Sequence, residues 1–123
     1  MCLHYIRKMP EKYKNKRIVY QVKRSFEDSF FALYYAGGGV LHYGETVISN
    51  KFTRLGDCDC KKYQTGFHCF PELKNARKYL SRHVKTINKI IVKCRISKPR
   101  LYGTQFRLGV LIADKITFLE EVK

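Results

Sequence analysis

The amino-acid sequence predicts an α+β domain in which one basic amphipathic helix packs on a largely antiparallel sheet of about five to seven strands. Strand candidates outnumber helix candidates, and their apolar residues alternate as in strands with one face on a core. A single segment has the three- and four-residue apolar spacing of a helix. With 123 residues, 45% of them apolar, the chain can bury one sizeable core. We therefore expect a single domain over residues 1–123.

The strand candidates are spread over the whole chain. Seven segments alternate or are rich in β-branched and aromatic residues: residues 17–24, 30–35, 46–48, 66–70, 90–96, 105–112 and 116–122. The aromatic run 30–35 is followed by three consecutive glycines, Gly37 to Gly39, which break a strand. The polar stretch between residues 49 and 65 predicts a long loop.

The helix is predicted from about Pro71 to Val84. Proline suits the first position of a helix because its missing N–H would have no partner there. Four residues form one apolar stripe: Leu73, Ala76, Leu80 and Val84. Tyr79 and His83 are expected at the margin of this stripe. Five cations occupy the remaining surface of the helix: Lys74, Arg77, Lys78, Arg82 and Lys85.

Net charge is the strongest functional signal in the sequence. The chain has 25 Lys and Arg against 10 Asp and Glu, which gives a net charge of +15. This exceeds the charge of about 2–8 that suits a small soluble domain. It favours an acidic partner, either nucleic acid or the acidic surface of another protein. The cations are concentrated in residues 1–24 and 61–107, each with a single acidic residue.

These two blocks form one basic face if the first strand and the helix lie close together. The residues expected to bind a polyanion on this face are Arg17, Lys23, Arg24, Lys74, Arg77, Lys78, Arg82, Lys93 and Arg95. Tyrosines suited to stacking are expected at its rim: Tyr5, Tyr13, Tyr20, Tyr63 and Tyr102. No helix-turn-helix, zinc-finger or RNA-recognition signature is present. We therefore expect phosphate contacts without sequence-specific reading of bases.

Four Cys and His residues within twelve positions are candidate ligands of a metal ion: Cys58, Cys60, His68 and Cys69. Zinc is the natural ion for such ligands, which it binds as a tetrahedron. The spacing differs from a standard finger, because the first pair is separated by one residue and the second pair is adjacent. Alternatively, Cys58 and Cys60 are loop thiols that form a disulfide under oxidation, and the others lie in the core. Cys94 is expected in the core because it shares a strand face with Val92 and Ile96.

The sequence contains no recognisable catalytic signature. Its histidines and cysteines do not fall in a nucleophile motif. Gly37 to Gly39 lack the Gly-Lys-Ser/Thr that follows in a phosphate-binding loop. We therefore expect a binding protein rather than an enzyme, with no cofactor besides the zinc considered above.

Four short motifs resemble those of small uncharacterised proteins of large DNA viruses and phages. They are Met1-Cys2-Leu3, Val19-Tyr20-Gln21-Val22, Gly66-Phe67-His68-Cys69-Phe70 followed by Ala76, and Ala113-Asp114-Lys115-Ile116. The resemblance implies a viral accessory protein or a structural component of a virion. The sequence has no apolar run of about 18 residues and no apolar signal segment. We expect a protein without a transmembrane segment that is not secreted by a signal peptide, located in the cytoplasm or nucleus of a host cell or in the virion.

The order of the predicted elements also resembles the layout of ADP-ribosyltransferases. In those enzymes a first strand carries a catalytic Arg, a later strand leads to a helix, and a Glu precedes the last strand. Here Gln21 stands where Arg is expected, His68 and Cys69 stand where hydroxyls are expected, and Asp114-Lys115 replaces the Glu motif. Arg24 and Glu120 or Glu121 substitute only if the strands are shifted. The resemblance thus implies at most a degenerate transferase-like domain.

Overall fold

The computed structural model describes residues 3–26, 29–32, 41–49, 53–55, 61–84 and 88–123. Within these residues the chain forms eleven strands, one α-helix and a short 3₁₀ turn at Glu11–Tyr13. The helix, α1, spans Leu73–His83. The strands are β1 (Tyr5–Arg7), β2 (Ile18–Phe26), β3 (Ser29–Ala32), β4 (Thr46–Ile48), β5 (Thr53–Leu55), β6 (Lys62–Gln64), β7 (Phe67–Cys69), β8 (Lys89–Ile96), β9 (Leu101–Gln105), β10 (Leu108–Ala113) and β11 (Lys115–Val122).

The strands form antiparallel sheets, which confirms the predicted α+β class. A four-stranded sheet has the order β1-β9-β10-β7, and a five-stranded sheet has the order β3-β2-β8-β11-β4. β5 and β6 pair separately. The strand count exceeds the five to seven expected from the sequence. In the described residues no helix has the length and apolar character needed to cross a membrane.

Backbone hydrogen bonds and chain continuity join the two large sheets. Tyr20 of β2 and Phe70, which follows β7, exchange two backbone hydrogen bonds of 2.9 and 2.8 Å. The chain also passes directly from β10 of one sheet into β11 of the other at Asp114. The two sheets are therefore parts of one folded unit.

The centre of the fold is β10, which is buried on both faces. Leu108, Val110 and Ile112 belong to a helix-side core, which also contains Ala76 and Tyr79 of α1. The alternate side chains, including those of residues 111 and 113, belong to an opposite core. The continuous apolar run of this strand is typical of strands covered on both sides.

Helix α1 packs on β2, β8 and β10. It begins two residues later than predicted, after Glu72, whose side chain makes no capping hydrogen bond. Tyr79 is only 3% exposed and lies in the helix-side core, so its expected place at the margin of the stripe is wrong. A ring of this size is stabilised most by full burial next to other aromatic groups, here Phe70 with its centroid 5.2 Å away.

One strand prediction and one loop prediction need correction. The predicted strand 105–112 is interrupted by a turn at Phe106 and Arg107, which separates β9 from β10. The predicted loop 49–65 contains β5 and β6. Cys94 does lie in a core, as its alternation with Val92 predicts. The glycine run at residues 37–39 lies outside the described residues.

Candidate functional site

The exposed surface of α1 is strongly basic. Lys74, Arg77, Lys78 and Arg82 are all exposed, on the side of the helix away from the buried Ala76 and Tyr79. None of these four cations forms an ion pair with a carboxylate in the part of the chain that the structure describes. The helix therefore presents a row of solvated positive charges, referred to below as the helix surface.

Cations of the five-stranded sheet lie on the same side of that sheet as the helix. Lys93 and Arg95 share a face of β8 with Ile91, which packs into the helix-side core. Arg95 is exposed, whereas Lys93 is half-buried and pairs with Glu120 at 3.6 Å. Arg24 is also exposed and shares its face of β2 with residue 22, another member of that core. These residues extend the basic surface beyond the helix.

Arg17 precedes β2 and is exposed. Its guanidinium donates a hydrogen bond of 3.3 Å to the backbone oxygen of Lys16. It therefore stays near the backbone of its own loop while its charge remains accessible to solvent.

Lys23 does not share this exposure. It neighbours Arg24 on a strand, so its side chain points to the other face, where it is only 8% exposed. Its Nζ atom lies 5.5 Å from the ring centroid of Phe118. Burial lowers the pKa of Lys23, an effect that the nearby thiols of Cys94 and Cys69 oppose. The structure thus separates Lys23 from the exposed cations with which the sequence grouped it.

Of the five tyrosines expected at the rim of the basic face, two are buried and two, Tyr20 and Tyr102, are partly buried. Tyr13 and Tyr63 are each 6% exposed. The phenol of Tyr13 donates a 2.7 Å hydrogen bond to Glu72, and burial together with this bond raises the pKa of Tyr13. Tyr102 packs beside Tyr13, with ring centroids 5.8 Å apart. Tyr5 is the most exposed tyrosine of this set, with 40% of its surface accessible to solvent.

The four candidate zinc ligands are only partly described. Cys58 and Cys60 lie outside the described residues. Cys69 is fully buried, where its thiol donates to the backbone oxygen of Phe67 at 3.5 Å, and burial raises the pKa of that thiol. His68 belongs to the other face of β7, with its ring near Tyr63. Among the described residues no three Cys, His, Asp or Glu side chains group together as a metal site would require.

A groove lies beside the turn between β9 and β10. It has a volume of about 490 Å³ and is lined by His4, Tyr5, Arg7, Thr104, Phe106 and Arg107. Tyr5 and Arg7 come from edge strand β1, and Thr104 lies opposite Tyr5 on β9. The groove therefore combines two exposed arginines with two partly exposed aromatic rings.

Phe106 is the centre of an aromatic cluster at this groove. Its ring stacks on His83 with centroids 4.0 Å apart and an interplanar angle of 10°. The His4 ring lies at 78° to the Phe106 ring with centroids 4.7 Å apart, and the Phe106 N–H donates to His4 Nδ1 at 3.1 Å. Although it is held in this way, 43% of Phe106 remains exposed. Because His83 ends α1, the groove adjoins the helix surface.

The turn itself has an unfavourable backbone. Phe106 and Arg107 have φ values of +50° and +64° in the two-residue loop between Gln105 and Leu108. Such a loop requires positive φ at both positions and usually contains Asn-Gly. For other residues this conformation costs roughly 1–2 kcal/mol each. The sequence does not indicate this turn, because Phe106 fits the alternating pattern of a strand and neither residue is a turn signal.

Comparisons with known proteins add no relative. No protein-family model, curated protein or solved structure matches this chain. The resemblances to viral proteins and to ADP-ribosyltransferases therefore stay predictions.

For the transferase resemblance, the structure gives the positions of the residues involved. Gln21 is buried and donates a 2.9 Å hydrogen bond to the backbone oxygen of His68. Arg24 is exposed, and Glu120 pairs with Lys93. Gln21 therefore links β2 to β7 within the fold.

Proposed function

We propose that this protein binds nucleic acid through its exposed basic surface, by contacts to phosphates and without recognition of a particular sequence. The observation that carries this proposal is the helix surface, where Lys74, Arg77, Lys78 and Arg82 are all exposed. Four like charges on one short helix repel each other and destabilise the free protein. A polyanion that neutralises them removes this repulsion.

Nucleic acid is favoured over an acidic protein surface by the extent and regularity of the cations. The exposed set includes several arginines, whose planar guanidinium binds phosphate oxygens with two parallel hydrogen bonds, as it also binds carboxylates. The exposed Arg95 and Arg24 extend the surface on the same side of the five-stranded sheet. A phosphate backbone offers a regular series of charges along such a surface.

The test is binding of the nuclease-treated protein to a labelled mixed-sequence strand across about 50–200 mM salt. A surface that contacts six to ten phosphates should lose roughly 10³–10⁵ in affinity over this range, because binding releases counterions. Replacing Lys74, Arg77, Lys78 and Arg82 with Gln should weaken binding and lower the dependence on salt. Gln keeps the helix propensity of the replaced residues.

A control variant carries four other exposed lysines changed to Gln: Lys12, Lys14, Lys62 and Lys123. It has the same net charge as the helix variant but an intact helix surface, so it should keep most of the affinity. Equal affinities for the two variants would contradict the proposed location of the binding surface. Absence of binding by the unmodified protein at about 50 mM salt would contradict the function and direct attention to acidic protein surfaces.

A further inference from the structure

We propose that the groove beside the β9–β10 turn is a stacking site for an unpaired base of single-stranded nucleic acid. In this site Tyr5 and Phe106 contact the base, and Arg7 and Arg107 contact the adjoining phosphates. The inference rests on the proposed function and adds that the protein selects single-stranded nucleic acid. Of these four residues, the sequence had indicated only Tyr5, as a ring suited to stacking.

The composition of the groove matches this ligand. Tyr5 and Phe106 are 40% and 43% exposed, although aromatic rings of this size are stabilised by burial. The guanidinium of Arg7 already lies over the Tyr5 ring at 4.8 Å, and Arg107 adjoins Phe106 in the turn. Proteins that bind single strands combine aromatic rings for the bases with cations for the backbone.

Contacts within the protein hold the Phe106 ring in place. His83 stacks on Phe106 at 4.0 Å, and the His4 Nδ1 atom accepts the Phe106 N–H. A side chain held in place loses little conformational entropy on binding. The volume of about 490 Å³ lies within the range of roughly 300–1,000 Å³ that is usual for small-molecule sites. The groove thus offers a preformed surface large enough for a base with its sugar and phosphate.

The strained turn is an independent observation that points to the same site. Phe106 and Arg107 both have positive φ, and a turn selected for stability alone would contain Asn-Gly. Strained backbone at an exposed position is characteristic of functional sites. Here the strain places a partly exposed ring and a guanidinium at the mouth of the groove.

A single strand fits this arrangement better than a duplex does. The bases of a duplex are stacked on one another, so their flat faces are not available to protein rings. A single strand can present one base to the groove while its phosphates continue along the helix surface. The stack of His83 on Phe106 joins the groove to the end of α1.

The experiment compares two labelled strands of about 12 nucleotides, one with bases and one with abasic positions, at about 50 mM salt. Both carry the same phosphate charge. The unmodified protein should bind the strand with bases roughly 10-fold more tightly, since stacking of one base contributes this order of affinity. Tyr5→Thr and Phe106→Asn should each reduce this preference without weakening binding of the abasic strand. Thr suits an edge strand, and Asn tolerates positive φ, so both variants should fold.

Tyr43→Thr is the matched control, because Tyr43 is exposed to a similar extent, 38%, and lies outside the set of residues that line the groove. It should keep the full preference for bases. Equal binding of the two strands by the unmodified protein, or a preference that survives both groove substitutions, would overturn the inference while leaving phosphate binding intact. If neither strand binds, the proposed function fails and the inference fails with it.

Discussion

The two ends of the β9–β10 hairpin use arginine in opposite ways. At the open end, Arg100 donates to both carboxylate oxygens of Asp114 at 2.9–3.1 Å and to the backbone oxygens of Gln64 and Thr65 at 3.0 and 2.7 Å. At the turn end, Arg107 is exposed and has a strained φ. The first arginine connects elements of the fold, whereas the second is directed to solvent. Total charge does not distinguish these two roles.

Removing the arginine at the open end should have the largest effect on stability. Arg100→Met leaves the half-buried Asp114 without this cation and removes the hydrogen bonds to Gln64 and Thr65. We expect the free energy of unfolding to fall by about 3 kcal/mol, because removing Arg100 takes away the cation beside a partly buried carboxylate together with several hydrogen bonds. Urea denaturation measures this change.

Arg107→Met is the control at the other end of the same hairpin and should change the unfolding free energy by less than about 0.5 kcal/mol. Equal losses for the two arginine variants would remove the contrast between the two ends.

Lys23 adds a third kind of cation to the comparison of Arg100 with Arg107. It is buried, and no carboxylate of the described residues pairs with it. Lys23→Met should increase the unfolding free energy at pH 7 by about 2 kcal/mol, since an apolar side chain replaces a buried amine that folding must desolvate. Thermal or urea denaturation of the two proteins measures the difference.

The pH dependence of this effect has a defined sign. The folded-state pKa of Lys23 is lowered, so between that pKa and about 10.4 the unfolded chain binds more protons than the folded protein. This residue's contribution to stability therefore increases with pH in that window. The difference between Lys23→Met and the unmodified protein should shrink as pH rises toward about 10. A difference that stays constant would mean that folding does not lower the pKa of Lys23.

A change in stability smaller than those at Arg100 and Lys23 is expected at the strained turn. Arg107→Gly should raise the unfolding free energy by about 1 kcal/mol, because glycine adopts positive φ without steric cost. The same substitution should weaken binding of a single strand by removing one phosphate contact. Denaturation and binding measured on the same preparation give both values. A loss of stability would show that the Arg107 side chain supports the turn.

The sequence was sufficient for the class of fold and for most strands, because alternation in β2, β8 and β11 reflects packing on a core. It was insufficient for choosing between Lys23 and Arg24. Strand alternation predicts that Lys23 and Arg24 lie on opposite faces of β2. Both faces are covered, one by the helix-side core and one by the opposite core. Which of the two cations becomes buried depends on the tertiary arrangement.

The groove could not be predicted from the sequence, because it also depends on the tertiary arrangement. Phe106 and Arg107 carry no turn signal, and the rings that contact Phe106 come from His4 and His83, at distant positions in the chain. Tertiary contacts therefore override local preference at this turn. The exposed helix cations, in contrast, follow directly from helical spacing, which predicts all four together.

The double burial of β10 couples the two cores of the domain. Val110 and Leu111 are adjacent in sequence, yet the first fills the helix-side core and the second fills the opposite core. A fluctuation that displaces this strand disturbs the packing on both of its faces at once. The two cores are therefore expected to open as one cooperative unit, whereas an edge strand such as β1 can separate locally while the rest of the fold stays closed.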